Sequence, residues 1–475
     1  MKLTPTKEQQ AIVTAAVEGK NLVARAYAGA AKSTTLKLVA EAIPKPAIYL
    51  AFNKTIAEEA RLSFPSTVDC RTIHSLAYRA IVTKEYRKKL QGFFNWKDIE
   101  ELPSWGALHE ESDLIEAKAL IVDCIEAYCA SSKTKLTTLP EYLNIVKLEE
   151  VGPPIAKLVT EYWKAIVDTK STVKITHNVY LKLFQLSQPI LPCELLLVDE
   201  SQDLQDVVIK LIQDQLLYGI QIIVTGDEFQ SIYEWNRAKD ALDKFPGSFQ
   251  ELYLTESFRF TQAIADKATS LLSYLGNDRP IIGRAVEADI QTKCTIVRNN
   301  TTLIDELLQA YQRGEKVKVL ADLKPVWAKL YHISALRFKE IPKYPDKELA
   351  QYSSYNELLK AAKLLPELSK LLNITNVLIS YGSMHSSIAN IKSIIVTKEE
   401  DADFTLTTAH KSKGLQWEEV TLREDLLIVP EDYTGEIKDL LFKDQTANLI
   451  YVALSRAQYK VNLPSTIKQL LERNL

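Results

Sequence analysis

Two short groups of residues in this 475-residue chain carry the side chains for phosphate chemistry. In AYAGAAKSTTL, Ala26 to Leu36, small residues lead into Lys32 and Ser33 directly after the apolar run KNLVARA. A strand, a small-residue loop, Lys-Ser and a helix are the parts of a phosphate cradle. Backbone N–H groups and the helix N-terminus face the anion, the ammonium reaches the terminal phosphates, and the hydroxyl takes magnesium. Ala28, Gly29, Ala30, Ala31 and Thr34 complete that loop. From this stretch alone, a lysine at an ordinary helix start reads equally well. The second group is LLLVDESQD, in which four apolar residues deliver Asp199 and Glu200. An acid at the carboxyl end of a buried strand holds magnesium, and its neighbour can activate the attacking water. Together the two groups point to nucleoside triphosphate hydrolysis.

Further side chains fit the same chemistry. VTGDEFQSIYEW ends a strand in Asp227 and sets Gln230 where a γ-phosphate is sensed. Tyr233 and Trp235 follow, either as stacking platforms for unpaired bases or as core residues. LTESFRF offers Phe258 and Arg259, and YVALSRAQ offers Arg456; an arginine can neutralise charge developing on a transferred phosphate.

These groups need strands to position them. KNLVARA, PAIYLAF, ELLLVDE and IQIIVTGD are continuous apolar runs, each followed by helix-like sequence. Such runs suit strands buried on both faces of a parallel sheet under helices. A second set, KCTIVRN, EKVKVLAD, FTLTTAH, WEEVTL and NLIYVALSR, predicts a second α/β core. Between the strands, 84–171 and about 323–400 are helix-patterned, as in ESDLIEAKALIVDCIEAYCA and YNELLKAAKLLPELSKLL, and read as inserted helical domains. The basic cluster KEYRKKL before GFFNW is either a nucleic-acid contact or a solvated helix face ending in core aromatics.

Composition narrows the partners. A net charge of -3 gives no global basic field, so any nucleic-acid site must be a local groove. Five cysteines without a C-x-x-C pair suit reduced thiols and offer no zinc-ligand spacing. MKLTPTKEQQ lacks the apolar core of a signal peptide, and no apolar run reaches the roughly 18 residues that span a bilayer. A cytoplasmic, monomeric protein without membrane contacts is expected.

In this order the motifs resemble the UvrD-like superfamily 1 DNA helicases, most closely the helicase region of the F-box DNA helicases, although no F-box is read. LTPTKEQQAIV resembles the adenine-reading motif, YLAFNKTIAEEARLSFP and CRTIHSLAYRAI the DNA-contact motifs that follow, and ITHNVYLKLFQLSQP the run into the acidic motif. DESQD, GDEFQSIY, LTESFRF, TTAHKSKGLQWEEV and NLIYVALSRA are similar to the remaining motifs. The resemblance covers nearly the whole chain and implies an α/β fold of two RecA-like parallel-sheet cores, each with a mainly helical insertion. It implies core 1A at 1–84 and 172–262, insertion 1B at 85–171, core 2A at 263–322 and 401–475, and insertion 2B at 323–400.

It also implies roles. Gln9 reads adenine and Phe258 stacks on it; Lys32, Ser33 and Asp199 hold phosphate and magnesium; Glu200 is the base. Gln230 couples the γ-phosphate to DNA, with Arg259 and Arg456 as the arginine contacts. Phe52, Asn53, His74, Tyr233, Trp235, His410 and Lys411 line a single-strand track. ATP and Mg2+ are the implied cofactors, and single-stranded DNA, or duplex DNA with a single-stranded tail, the partner. Three departures stand out. Ala30 and Ala31 replace the threonine and second glycine of A-x-A-G-T-G-K-T, Trp235-Asn236-Arg237-Ala238 replaces an aromatic followed by Arg-Gly-Ala, and Gln416 replaces a glutamate near the ribose. If residue 31 needs a positive φ, its Cβ adds on the order of 1–2 kcal/mol of strain. Two functions are therefore expected: an ATP-driven single-strand translocase and helicase moving 3′ to 5′, or an ATPase-impaired protein of the same fold acting as a single-stranded DNA-binding clamp or scaffold.

Overall fold

The computed structural model describes residues 4–92, 94–108, 114–136, 152–232, 241–346, 348–363, 365–430, 433–443 and 445–472. The chain divides into two compact units: Met1–Tyr27 with Ala31–Leu254, and Ala28–Ala30 with Thr255–Leu475.

The first unit is built on β1 (Leu22–Ala26), β2 (Ala47–Leu50), β3 (Val68–Arg71), β4 (Leu195–Val198), β5 (Gln221–Gly226) and β6 (Gln250–Leu254). They form one parallel sheet in the order β3-β2-β4-β5-β1-β6. All four residues of β2 and all four of β4 are buried, which explains their unbroken apolar sequence. Between β3 and β4 lie, among the described residues, the helices Ile73–Ile81, Leu114–Ala130, Pro153–Val167 and His177–Leu186. One hydrophobic cluster runs from the sheet (Val23, Ile48, Leu196, Ile222) into these helices (Ile121, Ile125, Leu158, Tyr162).

The second unit carries a short pair, β7 (Glu256–Ser257) with β8 (Ile282–Gly283), and a six-stranded parallel sheet. That sheet contains β9 (Lys293–Val297), β10 (Val317–Val319), β11 (Ile395–Val396), β12 (Phe404–Thr408), β13 (Trp417–Leu422) and β14 (Ala457–Asn462). Its order is β11-β10-β12-β9-β13-β14. Helices Lys324–Arg337, Tyr355–Ala362, Pro366–Ser380 and Met384–Ser393 lie in sequence between β10 and β11. Leu330, Leu358, Leu378 and Ile388 from those helices share one core with Val297, Val317 and Leu406 of the sheet. The chain is an α/β protein of two RecA-like parallel-sheet cores, each interrupted by mainly helical sequence. Among the described residues no helix is long and apolar enough to cross a membrane.

Two details differ from the sequence reading. NLIYVALSR is not a strand: Thr446–Leu454 is a helix with Leu449, Ile450, Tyr451 and Val452 all buried, and the strand is the AQYKVN that follows. A helix buried on every side has the same unbroken apolar run as a central strand. The sheets also recruit β3, β6 and β11, whose sequences are mixed or very short.

Candidate functional site

The site begins where β1 ends. Gly29 has φ +75, and the chain then passes through Ala31 at φ 56, ψ 42 before entering the helix Lys32–Ala42. The left-handed residue turns the strand sharply into the helix, so that Lys32 and Ser33 stand in its first turn. Ala31 caps the helix through its backbone alone: its carbonyl accepts from the Thr35 N–H (2.9 Å) and hydroxyl (3.0 Å).

β4 delivers the acids to the same sheet edge, and β5, which lies between β4 and β1, delivers Asp227. Lys32 is buried, and its ammonium lies 3.2 Å from Glu200 Oε2. Burial is the largest single influence on Lys32 and lowers its pKa, but Glu200, Asp227 and Asp199 together outweigh it and hold the pKa above the ordinary lysine range. Asp199 is 3% exposed, and burial, then Glu200, raise its pKa against the opposing pull of Lys32.

The Asp199 carboxylate is held at both oxygens. Oδ2 accepts from the Ser33 hydroxyl and from the Tyr49 hydroxyl (2.7 Å), while Oδ1 accepts from Thr225 Oγ1 (3.2 Å) and the Glu200 N–H (2.9 Å). Glu200 itself has φ 50, a second left-handed non-glycine residue at this site. Its carboxylate accepts from Gln202 Nε2 (2.6 Å), whose Oε1 accepts from the Asp227 N–H (3.0 Å). Gly226 permits that approach, because a Cβ there would lie 2.7 Å from Gln202 Oε1. Asp227 accepts from the Gln230 amide and caps the turn Glu228–Gln230.

One ammonium among three carboxylates leaves this cluster with a formal charge of -2. Hydroxyl, carboxylate and that excess negative charge form an oxygen donor set of the kind a hard divalent cation takes. The chemistry of these donors is compatible with magnesium, which the Ser33 hydroxyl and the Asp199 carboxylate would hold; among the described residues no group of three or more histidine, cysteine or carboxylate side chains is placed to hold a metal ion.

The remaining expected residues fall in several places. Gln9 is buried, but its amide is engaged: Oε1 accepts from the Thr6 N–H (3.0 Å) in a capping box and Nε2 donates to Thr35 Oγ1 (3.1 Å). Thr34 and Phe52 are exposed, and Asn53 caps the helix Lys54–Ser63 by accepting from the Ile56 N–H (2.9 Å). His74 packs edge-on to Tyr180; burial, then His177, push its pKa down to about 4, which leaves it neutral at pH 7. Tyr233, Trp235 and the Asn236-Arg237 pair lie outside the described residues. Of the basic cluster, Lys84, Arg87 and Lys88 are exposed, whereas Lys89 is buried and donates to the carbonyls of Ala165, Ile166 and Asp168, closing the helix Pro153–Val167.

In the second unit Phe258 is half-exposed, and Arg259 donates to the Ser455 carbonyl (3.2 Å). Arg456 is 1% exposed, with its guanidinium donating to the Val452 and Leu415 carbonyls and to Ser455 Oγ. Gln416 and Lys411 are exposed. His410 lines a cavity of about 360 Å³ with Arg298, Asn299, Asn300, Lys329 and Thr408. Sequence reasoning passed over Tyr49, Gln202 and Thr225: a tyrosine or threonine in a buried strand carries no mark of the carboxylate its hydroxyl will meet.

Lys-Ser at the head of a helix after β1, with an acid pair after β4 of one parallel sheet, defines a phosphate-loop α/β protein. A family model described as an AAA domain matches residues 9–236. The chain is 27% identical to F-box DNA helicase 1 of Gallus gallus over 98% of its length and 49% of that relative. It is 26% identical to F-box DNA helicase protein 1 of Schizosaccharomyces pombe over 98% of its length and 58% of that relative. The chain thus spans about half the length of the curated relatives it matches, and it is related to the superfamily 1 helicases.

Proposed function

We propose that this chain binds ATP with magnesium at residues 28–34 and uses its hydrolysis to move 3′ to 5′ along single-stranded DNA and to separate duplex strands. The observation that carries this reading is the convergence of Lys32, Ser33, Asp199 and Glu200 at one sheet edge. Bound magnesium would supply charge neutralisation for the transferred phosphate. Lys32 binds the terminal phosphates as a fixed cation, kept charged by the three carboxylates around it. Ser33 and Asp199 would hold the metal. Glu200 takes the proton of the attacking water, and Lys32, 3.2 Å away, orients its carboxylate. Asp227 and Gln230 set the turn that senses the phosphate. In the first unit Gln9 would read adenine once its amide leaves Thr6 and Thr35, and in the second unit Phe258 would offer a ring for stacking and Arg259 and Arg456 positive charge. Phe52, Asn53, His74, Tyr233 and Trp235 of the first unit, and His410 and Lys411 of the second, are the side chains we assign to contacts with single-stranded DNA. The domain plan proposed is the one expected from the sequence, four domains built from six segments.

Unwinding of duplexes that carry a 3′ or a 5′ single-stranded tail tests the reading. ATP-dependent separation of the 3′-tailed substrate alone is expected, and separation of neither or only of the 5′-tailed one would overturn it. A second reading, an ATPase-impaired clamp on single-stranded DNA, is favoured by one observation: Ala31, a residue with a Cβ, occupies the left-handed position of the loop. Tight single-strand binding without turnover would establish it.

A further inference from the structure

Arg25 is the one charged residue of β1, paired in register with Gly226 on β5 and Tyr253 on β6. Its guanidinium meets three carboxylates from three elements. Nη1 lies 2.7 Å from Glu228 in the turn after β5. Nη2 lies 2.5 Å from Asp243 in the turn Leu242–Lys244 and 2.9 Å from Glu251 on β6, and Nε donates to that same Glu251 oxygen at 3.1 Å. The arginine side chain is only 13% exposed.

A lone surface ion pair stabilises little, but this is a planar fork with three acceptors. The charges matter more than the count. Without Arg25, three carboxylates would face one another at close range, and a contact that pulls Glu228 inward would become one that pushes it away. Glu228 opens the turn whose cap is Asp227 and whose last residue is Gln230. Asp227 in turn acts on Lys32. β1, the strand that bears Arg25, runs directly into the phosphate loop. In sequence, Glu228 and Asp243 also bracket Tyr233 and Trp235. Arg25 therefore ties the loop that is to hold phosphate to the turn that leads toward the DNA-facing residues.

We propose that Arg25 is a positioning residue that holds the Glu228–Gln230 turn in register with the phosphate loop, so that DNA-dependent stimulation of ATP hydrolysis passes through it. This rests on the reading of the chain as a DNA-stimulated ATPase. The full chain is compared as wild type, Arg25→Met, Arg25→Lys, Glu228→Gln and the Arg25→Met/Glu228→Gln pair. The measurements are KM for ATP, hydrolysis without DNA, and the ratio by which an oligothymidylate raises it. In Arg25→Met, KM and basal hydrolysis stay at wild-type values while the ratio falls by about fivefold or more, the lower end of a typical coupling between sites. Arg25→Lys keeps part of the ratio, and the double variant recovers part of what Arg25→Met loses, because the repelling carboxylate is gone. Backbone amide exchange across 226–232 gives a readout without DNA: an ATP analogue slows it in wild type and not in Arg25→Met. If Arg25→Met does not fold, the ratios for Arg25→Lys and Glu228→Gln decide instead, each expected below wild type. An unchanged ratio, or basal and stimulated hydrolysis falling in parallel, overturns the assignment. A wild type that DNA does not stimulate overturns the underlying reading instead.

Discussion

Replacing Ala31 with glycine should tighten nucleotide binding, and the loop geometry sets the size of the effect. Ala31 sits at φ 56, ψ 42, a conformation that costs an L-residue about 1–2 kcal/mol. Glycine removes that cost, while its greater freedom in the unfolded chain takes back roughly 0.4–1 kcal/mol of global stability. The folding balance is a net gain of about 0–1.6 kcal/mol, so thermal unfolding is a poor probe of the loop. The loop itself is where the difference appears. If its N–H groups take phosphate only while residue 31 stays left-handed, the apparent Kd scales inversely with that competent fraction. Relief of about 1–2 kcal/mol bounds the gain at about 5–30-fold. The assay is titration of a fluorescent ADP, with magnesium, into wild type, Ala31→Gly and Ala30→Gly. Ala30 is not among the residues with positive φ, so its glycine variant should gain nothing. An unchanged affinity in Ala31→Gly, or an equal gain in Ala30→Gly, would refute the argument from strain.

Other outcomes follow from the same geometry. Tyr49→Phe keeps the ring but removes one donor from Asp199 Oδ2, and a hydrogen bond to a charged group contributes roughly 1.5–3 kcal/mol. That donor lowers the Asp199 pKa, so its loss raises the pKa further and moves the acid limb of magnesium-dependent nucleotide binding to higher pH; an unmoved limb would count against the contact. His74 holds a pKa of about 4 against an ordinary 6.5, chiefly through burial. Between those values the unfolded chain takes up a proton that folded His74 refuses, so stability falls as pH drops through that window. His74→Gln should remove this part of the decline in the denaturant midpoint between pH 7 and about 5, and parallel pH curves for the two proteins would exclude it.

Much of the first sheet was legible because its central strands are buried on both faces. LLLV followed by Asp-Glu has few other readings when the lysine-bearing loop lies upstream. The second core misled at NLIYVAL, since complete burial writes the same sequence into a helix as into a strand. The Val68–Arg71 and Gln250–Leu254 strands hid behind exposed Asp69, Gln250 and Glu251. At the site, residue types were legible and their second partners were not. Thr6-x-x-Gln9 is a capping-box pattern visible in the sequence, yet the bond from Gln9 to Thr35 needs two helices brought together. The left-handed backbone of Glu200 has no sequence mark at all, because nothing in Asp-Glu-Ser demands it.

Phosphate release from ATP, measured with and without single-stranded DNA in wild type and Glu200→Gln, decides between a motor and a clamp. For a motor, DNA stimulates release by wild type, and Glu200→Gln loses about 100-fold or more of it with ADP affinity retained. Release that persists in Glu200→Gln, or a wild type that binds single-stranded DNA without turnover, would contradict the motor.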